Sequence, residues 1–513
     1  MSSALRGAER NINRDGVASG GATNILQIKS IHKKYHQMIS KSEFLQQVQR
    51  DNPGFGLEKI AEAYDFCCEA HKEQKRKSGE PYAVHPISVA LEVSKINIDE
   101  NSVIAALLHD VVEDTKYTAK DIETRFSKDV RNIVEGVTKF EKIQFQEKQA
   151  RQVENFRKLF LAMSKDIRVL IVKLCDRVHN MRTLEFQKPE KQKTIALETL
   201  EIYAPLAERI GLQRIKNELQ DLSFRILKPD EYAEIVQKIG KLKMDFDSSH
   251  AIEDIIKELQ DSMKRHNVEA QVFGREKTPY SVWRKMHKND IAFEEVSDII
   301  AFRVIVDTKE DCYRALGAIH TDYNAIPGKF KDYISIPKSN GYSSLHTKIM
   351  GPRGRIVDIQ IRTKAMHDED EFGLASHWKY KQGITTDNKL KYLRASWINR
   401  VLNILQESNQ NNVLSDAKTE ISENHIIVFT HDGYVVELPG RATVLDFAFA
   451  IDTDSGVYFD YAVVNGQHVG IDHILRNGDK VTICKSDKPQ VNRVWLNYTI
   501  TGKARNEIIS RLS

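Results

Sequence analysis

An apolar segment that ends in charged residues restricts the fold of this chain more than any other feature. Val103–Leu108 is apolar throughout, and His109, Asp110, Glu113 and Asp114 follow it closely. In a helix, residues four apart lie one turn apart, so these side chains would form two neighbouring pairs. Burying such charge beside leucine side chains costs free energy unless a cation compensates for it. The segment therefore predicts a buried helix whose charged end holds a cation.

Two other segments carry residues of the same kind. The mostly apolar run Val169–Cys175 leads into Asp176, and Asn180 follows one helical turn later. A shorter element, Arg76–Pro86, supplies His85. Taken singly, a histidine before a proline is usually a capping or packing residue, and an aspartate on an apolar helix is often a paired structural charge. The combination of these residues with the His-Asp pair favours one shared metal site.

The chemistry of such a site follows from its donor atoms. The candidate metal ligands are His85, His109, Asp110 and Asp176. A mixed nitrogen and oxygen site suits manganese or iron, and magnesium more weakly, and the bound ion polarises a phosphoryl oxygen and acidifies water. We expect two carboxylates to position or deprotonate that water and three bases to neutralise substrate phosphates. These residues are Glu113 and Asp114 for the water, and Arg76, Lys77 and Arg177 for the phosphates.

Length and charge set the outer limits. A chain of 513 residues is too long for one hydrophobic core, so about three or four folding units are expected. The 76 Lys and Arg residues nearly balance the 72 Asp and Glu residues, and phosphate binding must therefore be local. The five cysteines form no C-x-x-C pair, which fits a reducing cytoplasm rather than a zinc knuckle or a disulfide framework. No apolar run approaches the ~20 residues of a membrane span, so we expect no membrane association.

Changes in hydrophobic pattern divide the chain. Helical spacing dominates the first part, strand-like runs such as Ile300–Val306 alternate with helical stretches in the second, and short strands return near the end. The predicted organisation is a disordered leader at 1–25, an all-α domain at 26–195, a helical coupling region at 196–250, an α/β domain with a mixed sheet at 251–385, a linker at 386–424, a small β-rich domain at 425–488 and a C-terminal tail at 489–513.

Bases and carboxylates cluster in the predicted α/β domain. Arg275, Lys277 and Lys285 lie within eleven residues of one another, and this string alone is as compatible with a solvated basic face as with phosphate binding. Asp298 and Asp358 are candidates to hold one magnesium ion between ATP phosphates.

A later stretch of the same domain joins bases to a glycine turn and an aromatic ring. Gly328–Tyr342 contains several lysines and ends in Tyr342. This combination indicates phosphate binding with a nucleobase stacked on the tyrosine ring.

The order His, His-Asp, Asp in the first domain is the pattern of HD-type phosphohydrolases, and longer strings resemble the RelA/SpoT (Rel) stringent-response enzymes. The strings are GEPYAVHP, HDVVEDT and KLCDRVHNMRTL, and the resemblance continues through most of residues 50–490. It implies that manganese is bound by His85, His109, Asp110 and Asp176, and that Glu113 and Asp114 activate water. It also implies that the nucleotide is held by Arg76, Lys77, Arg177, Asn180 and Thr183. No member of this set is missing, so the resemblance implies an active 3′-pyrophosphohydrolase of guanosine tetraphosphate and pentaphosphate in the bacterial cytoplasm.

The second domain resembles the synthetase domain of the same family, a nucleotidyltransferase-like unit that moves pyrophosphate from ATP to the 3′-hydroxyl of GDP or GTP. The resemblance implies that Asp298 carries magnesium and that Asp358 is the catalytic acid. Arg275, Lys277, Lys285 and Arg303 are then expected to face ATP, with Tyr342 stacked on guanine. The implied nucleotide-binding set is Arg275, Lys277, Ser281, Lys285, Arg303, Lys331, Lys338, Asn340, Tyr342 and His346.

Two positions depart from the pattern of that synthetase domain. The family usually has glutamate where this chain has Asp358, which is one methylene shorter. The loop read as R-x-K-D in bifunctional members begins here with Lys329, which lacks the fork of an arginine. Synthesis is therefore expected, but at a reduced rate.

The stretch Ile426–Cys484 resembles the TGS domain, a β-grasp-like module that reads the acceptor end of uncharged tRNA on the ribosome in this family. Asp452 stands where the family commonly has histidine, and a carboxylate near an RNA end is repulsive. A structural or autoinhibitory role of the module therefore stays open. Family members continue into helical, zinc-finger-like and ACT domains, so the end at Ser513 leaves open whether the sequence is part of a longer protein or a short natural form.

The leading hypothesis is a bifunctional enzyme that hydrolyses and synthesises the alarmone, with manganese at the first site and magnesium at the second. Opposed activities would consume ATP without effect, so we predict a conformational switch through the region 196–250. The alternatives are a hydrolase whose synthetase domain has become a nucleotide sensor, and a regulator that binds tRNA or the ribosome. Intact HDVVEDT counts against the last of these.

Overall fold

The protein forms three folding units in chain order. The computed structural model describes residues 38–141, 157–158, 160–247, 251–296, 298–338, 342–351, 356–372, 398, 400–402, 404–405, 421 and 425–512. The predicted leader at 1–25, most of the predicted linker at 386–424 and Asn340 lie outside the described residues.

The first unit is helical throughout its described part, as predicted. Apolar side chains from these helices pack into one core. Capping boxes start two of the helices, one formed by Ser40 with Glu43 and one by Thr118 with Asp121. The helices are α1 (Lys41–Asp51), α2 (Leu57–Ala70), α3 (Val84–Ile96), α4 (Glu100–Leu108), α5 (Val111–Asp114), α6 (Ala119–Arg125), α7 (Lys128–Glu141), α8 (Arg168–Arg182), α9 (Pro189–Glu198), α10 (Ala204–Arg209), α11 (Gln213–Leu227) and α12 (Pro229–Asp247).

The core of this unit does not stop at the boundary predicted at residue 195. Leu219 of α11 belongs to it, whereas Phe224 of the same helix belongs to a core shared with the second unit. Val401 and other buried residues of the predicted linker 386–424 also pack into the first core. The polar composition of this stretch predicted a linker, because composition does not reveal that a few apolar positions are enough to bury one side of a short helix.

A five-stranded mixed sheet in the order β1-β2-β5-β4-β3 forms the second unit and confirms its α/β class. Strands β2 and β5 are parallel, and the other neighbours are antiparallel. One face of the sheet is apolar, with Phe302 and Ile359 paired on it, and packs against α13 and α15. The elements are α13 (Ala251–Arg265), β1 (Gln271–Glu276), α14 (Pro279–Asn289), β2 (Ile300–Val306), α15 (Lys309–Asp322), β3 (Lys331–Asp332), β4 (Leu345–Met350), β5 (Ile356–Thr363) and α16 (Lys364–Phe372).

The third unit is a second five-stranded sheet, in the order β7-β6-β10-β8-β9, packed against helices. Its core includes Trp495 and Ile508, so the predicted C-terminal tail at 489–513 packs onto this unit. Among the helices that can be described, none combines the length and apolarity needed to cross a membrane. The elements are β6 (His425–Thr430), β7 (Val435–Pro439), α17 (Val444–Ile451), α18 (Thr453–Val457), β8 (Phe459–Val464), β9 (Gln467–Val469), β10 (Lys480–Lys485) and α19 (Gly502–Leu512).

Candidate active sites

The four predicted metal ligands of the first unit lie together in its interior. One donor atom each from His85, His109 and Asp176 lies within 4.8 Å of the other two. Nε2 of His85 is 3.1 Å from Oδ1 of Asp176, and Nε2 of His109 is 3.1 Å from Oδ1 of Asp110. All four side chains are at most 4% exposed. The structure thus joins three separate segments of the sequence at one buried point.

Three of these side chains lie at the ends of helices, and the fourth lies in the interior of a helix. His85 lies in the first turn of α3, where Pro86 is tolerated because N–H groups there have no partner within the helix. His109 and Asp110 form the junction between α4 and α5. Asp176 lies within α8. A helix start and a helix junction therefore face the interior of one helix, which brings the four predicted ligands together.

The carboxylate of Asp176 is held by neighbours on its own helix. Lys173 Nζ lies 2.7 Å from Oδ2, and Asn180 Nδ2 donates to Oδ1 at 2.6 Å. Burial raises the pKa of Asp176, but the neighbouring Lys173 ammonium group lowers it, and the pKa lies well below its ordinary value. The carboxylate is therefore ionised at neutral pH and available to a cation.

A hydrogen bond to the backbone shows which ring nitrogen of His109 is left as the acceptor that faces the cluster. Its Nδ1 lies 2.8 Å from the carbonyl oxygen of Ala106, which can only accept, so Nδ1 carries a proton. In the neutral ring, Nε2 then directs its lone pair toward Asp110. A cation between these two atoms, which lie 3.1 Å apart, would satisfy both of them. The residues present therefore fit a divalent metal ion.

Predicted nucleotide-binding residues meet beside this cluster on α8. Arg76 donates from Nη2 to Oδ1 of Asn180 at 3.1 Å, and from Nη1 to Oγ1 of Thr183 at 3.3 Å. Lys77 donates to Gln187 at 2.9 Å on the exposed surface. The guanidinium and the polar end of α8 thus form one donor-rich wall next to the metal ligands.

Arg177 is directed elsewhere in this structure. Its Nη1 pairs with Glu198 at 3.2 Å, and its guanidinium lies 3.8 Å from the ring centroid of Tyr203. Burial lowers the pKa of Arg177, but Tyr203 and Glu198 outweigh it and raise the pKa above its ordinary value. The side chain joins α8 to the helices that follow, and its contact with substrate phosphates stays a prediction.

The two acids predicted to activate water lie at the exposed rim. Glu113 and Asp114 are exposed residues of α5. The Tyr82 hydroxyl lies 2.8 Å from Oδ2 of Asp114 and 2.9 Å from Oδ2 of Asp110. Its single O–H group can donate a hydrogen bond to either carboxylate. Tyr82 therefore connects a predicted metal ligand to a predicted water-activating acid.

Sequence reasoning missed three residues of this site, namely Tyr82, Lys173 and His179. Lys173 and His179 lie three residues before and after Asp176, and this spacing places all three on one side of α8. That signal was present in the sequence. The position of Tyr82 depends on the turn before α3, which the sequence pattern does not specify.

Strand register gathers the predicted ATP-facing residues on the polar face of the second sheet. Residues directly opposite on neighbouring strands share a face. Arg303 is opposite Gln360, while Asp358 is opposite Ala301, which is itself opposite Arg275. Nη1 of Arg275 donates to Oε1 of Gln360 at 3.1 Å. Gln360 was not predicted, although the alternation of polar positions along β5 contains it.

Lysines neutralise both predicted magnesium-binding carboxylates. Asp298 pairs with Lys277 at 2.5 Å and with Lys285 at 2.7 Å, and Asp358 pairs with Lys348 at 2.9 Å. Burial raises the pKa of Asp298, but the two lysines outweigh it and lower the pKa to about 2. The structure thus places Lys277 and Lys285 beside Asp298, and adds Lys348, which the sequence did not predict.

The predicted guanine-facing residues meet at the other edge of this sheet. The Tyr342 hydroxyl lies 2.7 Å from Nε2 of His346, and Lys338 Nζ lies 4.9 Å from the centroid of the Tyr342 ring. Burial and then the charges of Lys338 and Lys331 lower the pKa of His346 to about 3, so its ring is neutral at neutral pH. Lys331 lies on β3 opposite His346, while Asn340 is outside the described residues.

A cavity of about 450 Å³ lies between α11 and the polar face of the sheet. On its α11 side, Asp221 accepts a hydrogen bond from the N–H of Tyr280 at 2.8 Å at the start of α14, and burial raises the pKa of Asp221 to about 7. Ser281 of that helix lies 2.9 Å from the hydroxyl of Thr278. Charged and polar lining residues include Arg214, Asn217, Glu218, Asp221, Arg275 and Arg303.

Asp452 of the third unit has a structural task. It is the N-cap of α18, and its carboxylate accepts hydrogen bonds from the N–H and the hydroxyl of Ser455, both at 2.6 Å. Lys485 lies 3.7 Å from the same carboxylate. Capping therefore accounts for an aspartate at this position without an RNA ligand.

Three protein-family models match the chain in the order of its units. The model described as "HD domain" matches residues 63–213, "Region found in RelA / SpoT proteins" matches residues 274–385, and "TGS domain" matches residues 426–485. These ranges contain both clusters described above and the capped Asp452.

Curated relatives match nearly the whole chain. The "GTP pyrophosphokinase rsh" of Brucella melitensis is 40% identical over 476 residues, covering 92% of this chain and 63% of that protein. The "Bifunctional (p)ppGpp synthase/hydrolase SpoT" of Escherichia coli is 40% identical over 464 residues, covering 90% and 66%. The "Guanosine-3′,5′-bis(diphosphate) 3′-pyrophosphohydrolase" of Aquifex aeolicus is 41% identical over 452 residues, covering 88% and 64%. This chain thus spans slightly less than two thirds of the length of these relatives. The ordered domain matches and the identity across them show that the chain belongs to the RelA/SpoT family.

Proposed function

We propose that this protein is a bifunctional alarmone enzyme. Its first site hydrolyses guanosine 3′,5′-bis(diphosphate) to GDP, or the pentaphosphate to GTP, with release of pyrophosphate. Its second site transfers pyrophosphate from ATP to the 3′-hydroxyl of GDP or GTP. The buried cluster of His85, His109 and Asp176 carries the first half of the proposal, because it fits a metal ion and adjoins the Arg76 guanidinium.

In the hydrolase, the protein supplies charge and a base around the metal. Manganese is the proposed ion, and when bound it would polarise the scissile phosphoryl group and acidify a water molecule. Asp114 or Glu113 takes the proton of that water, and Tyr82 orients Asp114 through its hydroxyl. Arg76 faces the diphosphate with a planar donor fork that suits phosphate oxygens.

In the synthetase, the protein mainly positions two nucleotides and neutralises their charge. Magnesium is the proposed ion, held by Asp298 and Asp358. Lys277, Lys285 and Lys348, which pair with these carboxylates, would contribute positive charge toward the ATP phosphates when magnesium is bound. Tyr342 offers its ring to the guanine base.

One assay in two directions tests the proposal. Purified protein is incubated with guanosine tetraphosphate and manganese, with and without chelator, and separately with ATP, GDP and magnesium. We expect GDP plus pyrophosphate in the first reaction and guanosine tetraphosphate in the second. A His109→Ala variant should lose only the first reaction. Absence of metal-dependent hydrolysis by the wild-type protein would overturn the proposal.

A hydrolase whose second domain senses nucleotides is the alternative that a specific observation favours. Asp358 is shorter than the usual glutamate and is engaged by Lys348 at 2.9 Å. Under this alternative the second site binds ATP and guanine nucleotide without turnover. Nucleotide binding without synthesis in the same assay would select it.

For the third unit and the location of the protein, we propose contact with uncharged tRNA on the ribosome in the bacterial cytoplasm. The TGS match supports the RNA partner, while the Asp452 carboxylate weakens it. The free thiols of Cys67, Cys175 and Cys312 are compatible with a reducing compartment. A gel-shift titration with uncharged and aminoacylated tRNA tests the partner, and equal absence of binding to both would contradict it.

A further inference from the structure

We infer that His179 is a positioning residue of the hydrolase site: it fixes which nitrogen of His85 faces the metal and anchors Arg76 beside it. The inference rests on the proposed function, since it concerns how that metal site is built. No matched family description assigns a role to this residue.

His85 has one ring nitrogen close to the carboxylates and the other close to His179. Its Nε2 faces the carboxylates, at 3.1 Å from Asp176 and 3.6 Å from Asp110. Its other nitrogen, Nδ1, lies 2.9 Å from Nδ1 of His179, and the two ring centroids are 4.9 Å apart. His179 therefore contacts the side of the ligand ring that points away from the metal position.

A count of protons assigns the donor and the acceptor. Nη1 of Arg76 lies 3.2 Å from Nδ1 of His179, and an arginine nitrogen can only donate. Nδ1 of His179 must therefore be an acceptor. It follows that Nδ1 of His85 carries the proton of their mutual hydrogen bond. The neutral His85 ring then has its lone pair on Nε2, which is the form that binds a metal ion.

The same acceptor orders the substrate side of the site. Arg76 donates to His179 and also to Asn180, one residue further along α8. Its guanidinium is thus held in a fixed plane next to the metal ligands. A single imidazole lone pair connects the metal-binding ring to the predicted phosphate-binding group.

The burial of His179 points to a specific requirement rather than to packing. The ring is fully buried, and its Nε2 has no hydrogen-bond partner among the described residues. A buried donor without a partner is costly, so an apolar side chain would pack here at lower cost. An apolar residue would lack the hydrogen-bond acceptor that Nδ1 provides at this position.

Two polar substitutions separate positioning from packing. In His179→Asn the amide oxygen can occupy the place of Nδ1, whereas in His179→Gln it lies one bond further from the backbone. We expect manganese to bind His179→Asn within about threefold of the wild-type affinity, and His179→Gln about 10- to 100-fold more weakly. Manganese binding is measured without substrate, by electron paramagnetic resonance of the free ion. A buried neighbour on the same helix provides the matched control, and Val178→Ala should bind manganese as the wild type does.

The outcomes distinguish this inference from the proposed function. Equal affinities of the Asn and Gln variants, whether both normal or both weak, would overturn the positioning role. Thermal unfolding identifies a variant that fails to fold, and weak binding by a folded His179→Asn variant would by itself overturn the inference. If wild-type protein binds no manganese, the proposed hydrolase function fails instead. For folded variants we also expect KM for guanosine tetraphosphate to rise in His179→Gln and to stay near normal in His179→Asn, because only the latter keeps Arg76 anchored.

Discussion

At the first site Asp110 and Asp176 face the ring nitrogens of two histidines, whereas at the second site Asp298 and Asp358 face lysine ammonium groups. The first arrangement places acceptors against acceptors in a buried space, with Lys173 as the neighbouring ammonium group. At the second site three lysines already neutralise the two carboxylates, with one positive charge in excess. We therefore expect a metal ion to complete the first site, whereas an ion at the second site would have to displace existing ion pairs.

Loss of a histidine ligand is the largest expected effect. His109→Ala removes a nitrogen donor from the buried cluster, and we expect hydrolysis to fall about 1,000-fold or more, since metal charge stabilisation amounts to several kcal/mol. Alarmone hydrolysis with manganese is the measurement. Synthesis by the same variant is the internal control and should stay within about twofold. Parallel loss of both activities would show that the two sites are not separable.

The matching change at the second site is Asp298→Asn. It removes a predicted magnesium ligand and leaves Lys277 and Lys285 without their shared carboxylate. We expect synthesis to fall about 100-fold, with hydrolysis retained. Initial rates in both directions measure this. Unchanged synthesis would show that Asp298 takes no part in the reaction.

The ion pairs of Asp298 also predict a dependence of stability on pH. The pKa in the folded protein is about 2, below the ordinary value of 3.8. A depressed carboxyl pKa stabilises the folded state above the ordinary pKa, and this stabilisation is lost as the pH falls from about 4 toward 2. Urea unfolding should therefore show Asp298→Asn about 2 kcal/mol less stable than wild type at pH 7, and this gap should shrink at pH 3. A gap that is independent of pH would contradict the assignment.

A gain of activity is expected at position 358. Asp358→Glu restores the longer carboxylate at the position where Asp358 now pairs with Lys348. We expect synthesis to rise about tenfold, while hydrolysis is unchanged. Asp332→Glu, which alters an acid on β3 of the same sheet, is the matched control. No rise in the Asp358→Glu variant would show that the shorter acid does not limit synthesis.

Local pattern was sufficient to single out the residues of the buried His-His-Asp cluster and strands β2 and β5, but not the contacts between segments. His109 and Asp176 stand out because ionisable residues are rare on apolar helices. The pairing of Asp358 with Lys348 depends on which strands become neighbours, and nothing within β5 specifies that. Arg177 shows the converse, since a base next to a ligand in sequence turned toward Glu198 and Tyr203. A position one residue from a ligand on a helix points about 100° away from it, so adjacency in sequence is a poor guide.

An ion pair between α8 and α11 predicts how nucleotide binding at the second site could affect the first site. Arg182, at the end of α8, pairs with Glu218 of α11 at 2.5 Å, and Glu218 lines the cavity beside Arg275 and Arg303. The phosphates of a nucleotide bound in that cavity would repel Glu218 and compete with it for Arg182, and so alter the support of the helix that carries Asp176. Helix α11 lies in the predicted coupling region 196–250, so this ion pair is a physical connection between the two sites through that region.

The smallest expected effect tests that route. In wild-type protein, ATP with a non-reactive GDP analogue at the second site should change the hydrolysis rate, and Glu218→Gln should reduce this change about fivefold, because a typical coupling free energy is about 1 to 3 kcal/mol. Glu208→Gln is the control, since Glu208 is also paired, with Lys216 at 3.1 Å, but does not line the cavity. Full coupling in Glu218→Gln would exclude this ion pair, whereas no response in the wild type would exclude coupling itself. Because Arg182 and Asp176 lie on the same helix α8, we expect the effect of Glu218 on hydrolysis to reach the first site through Asp176.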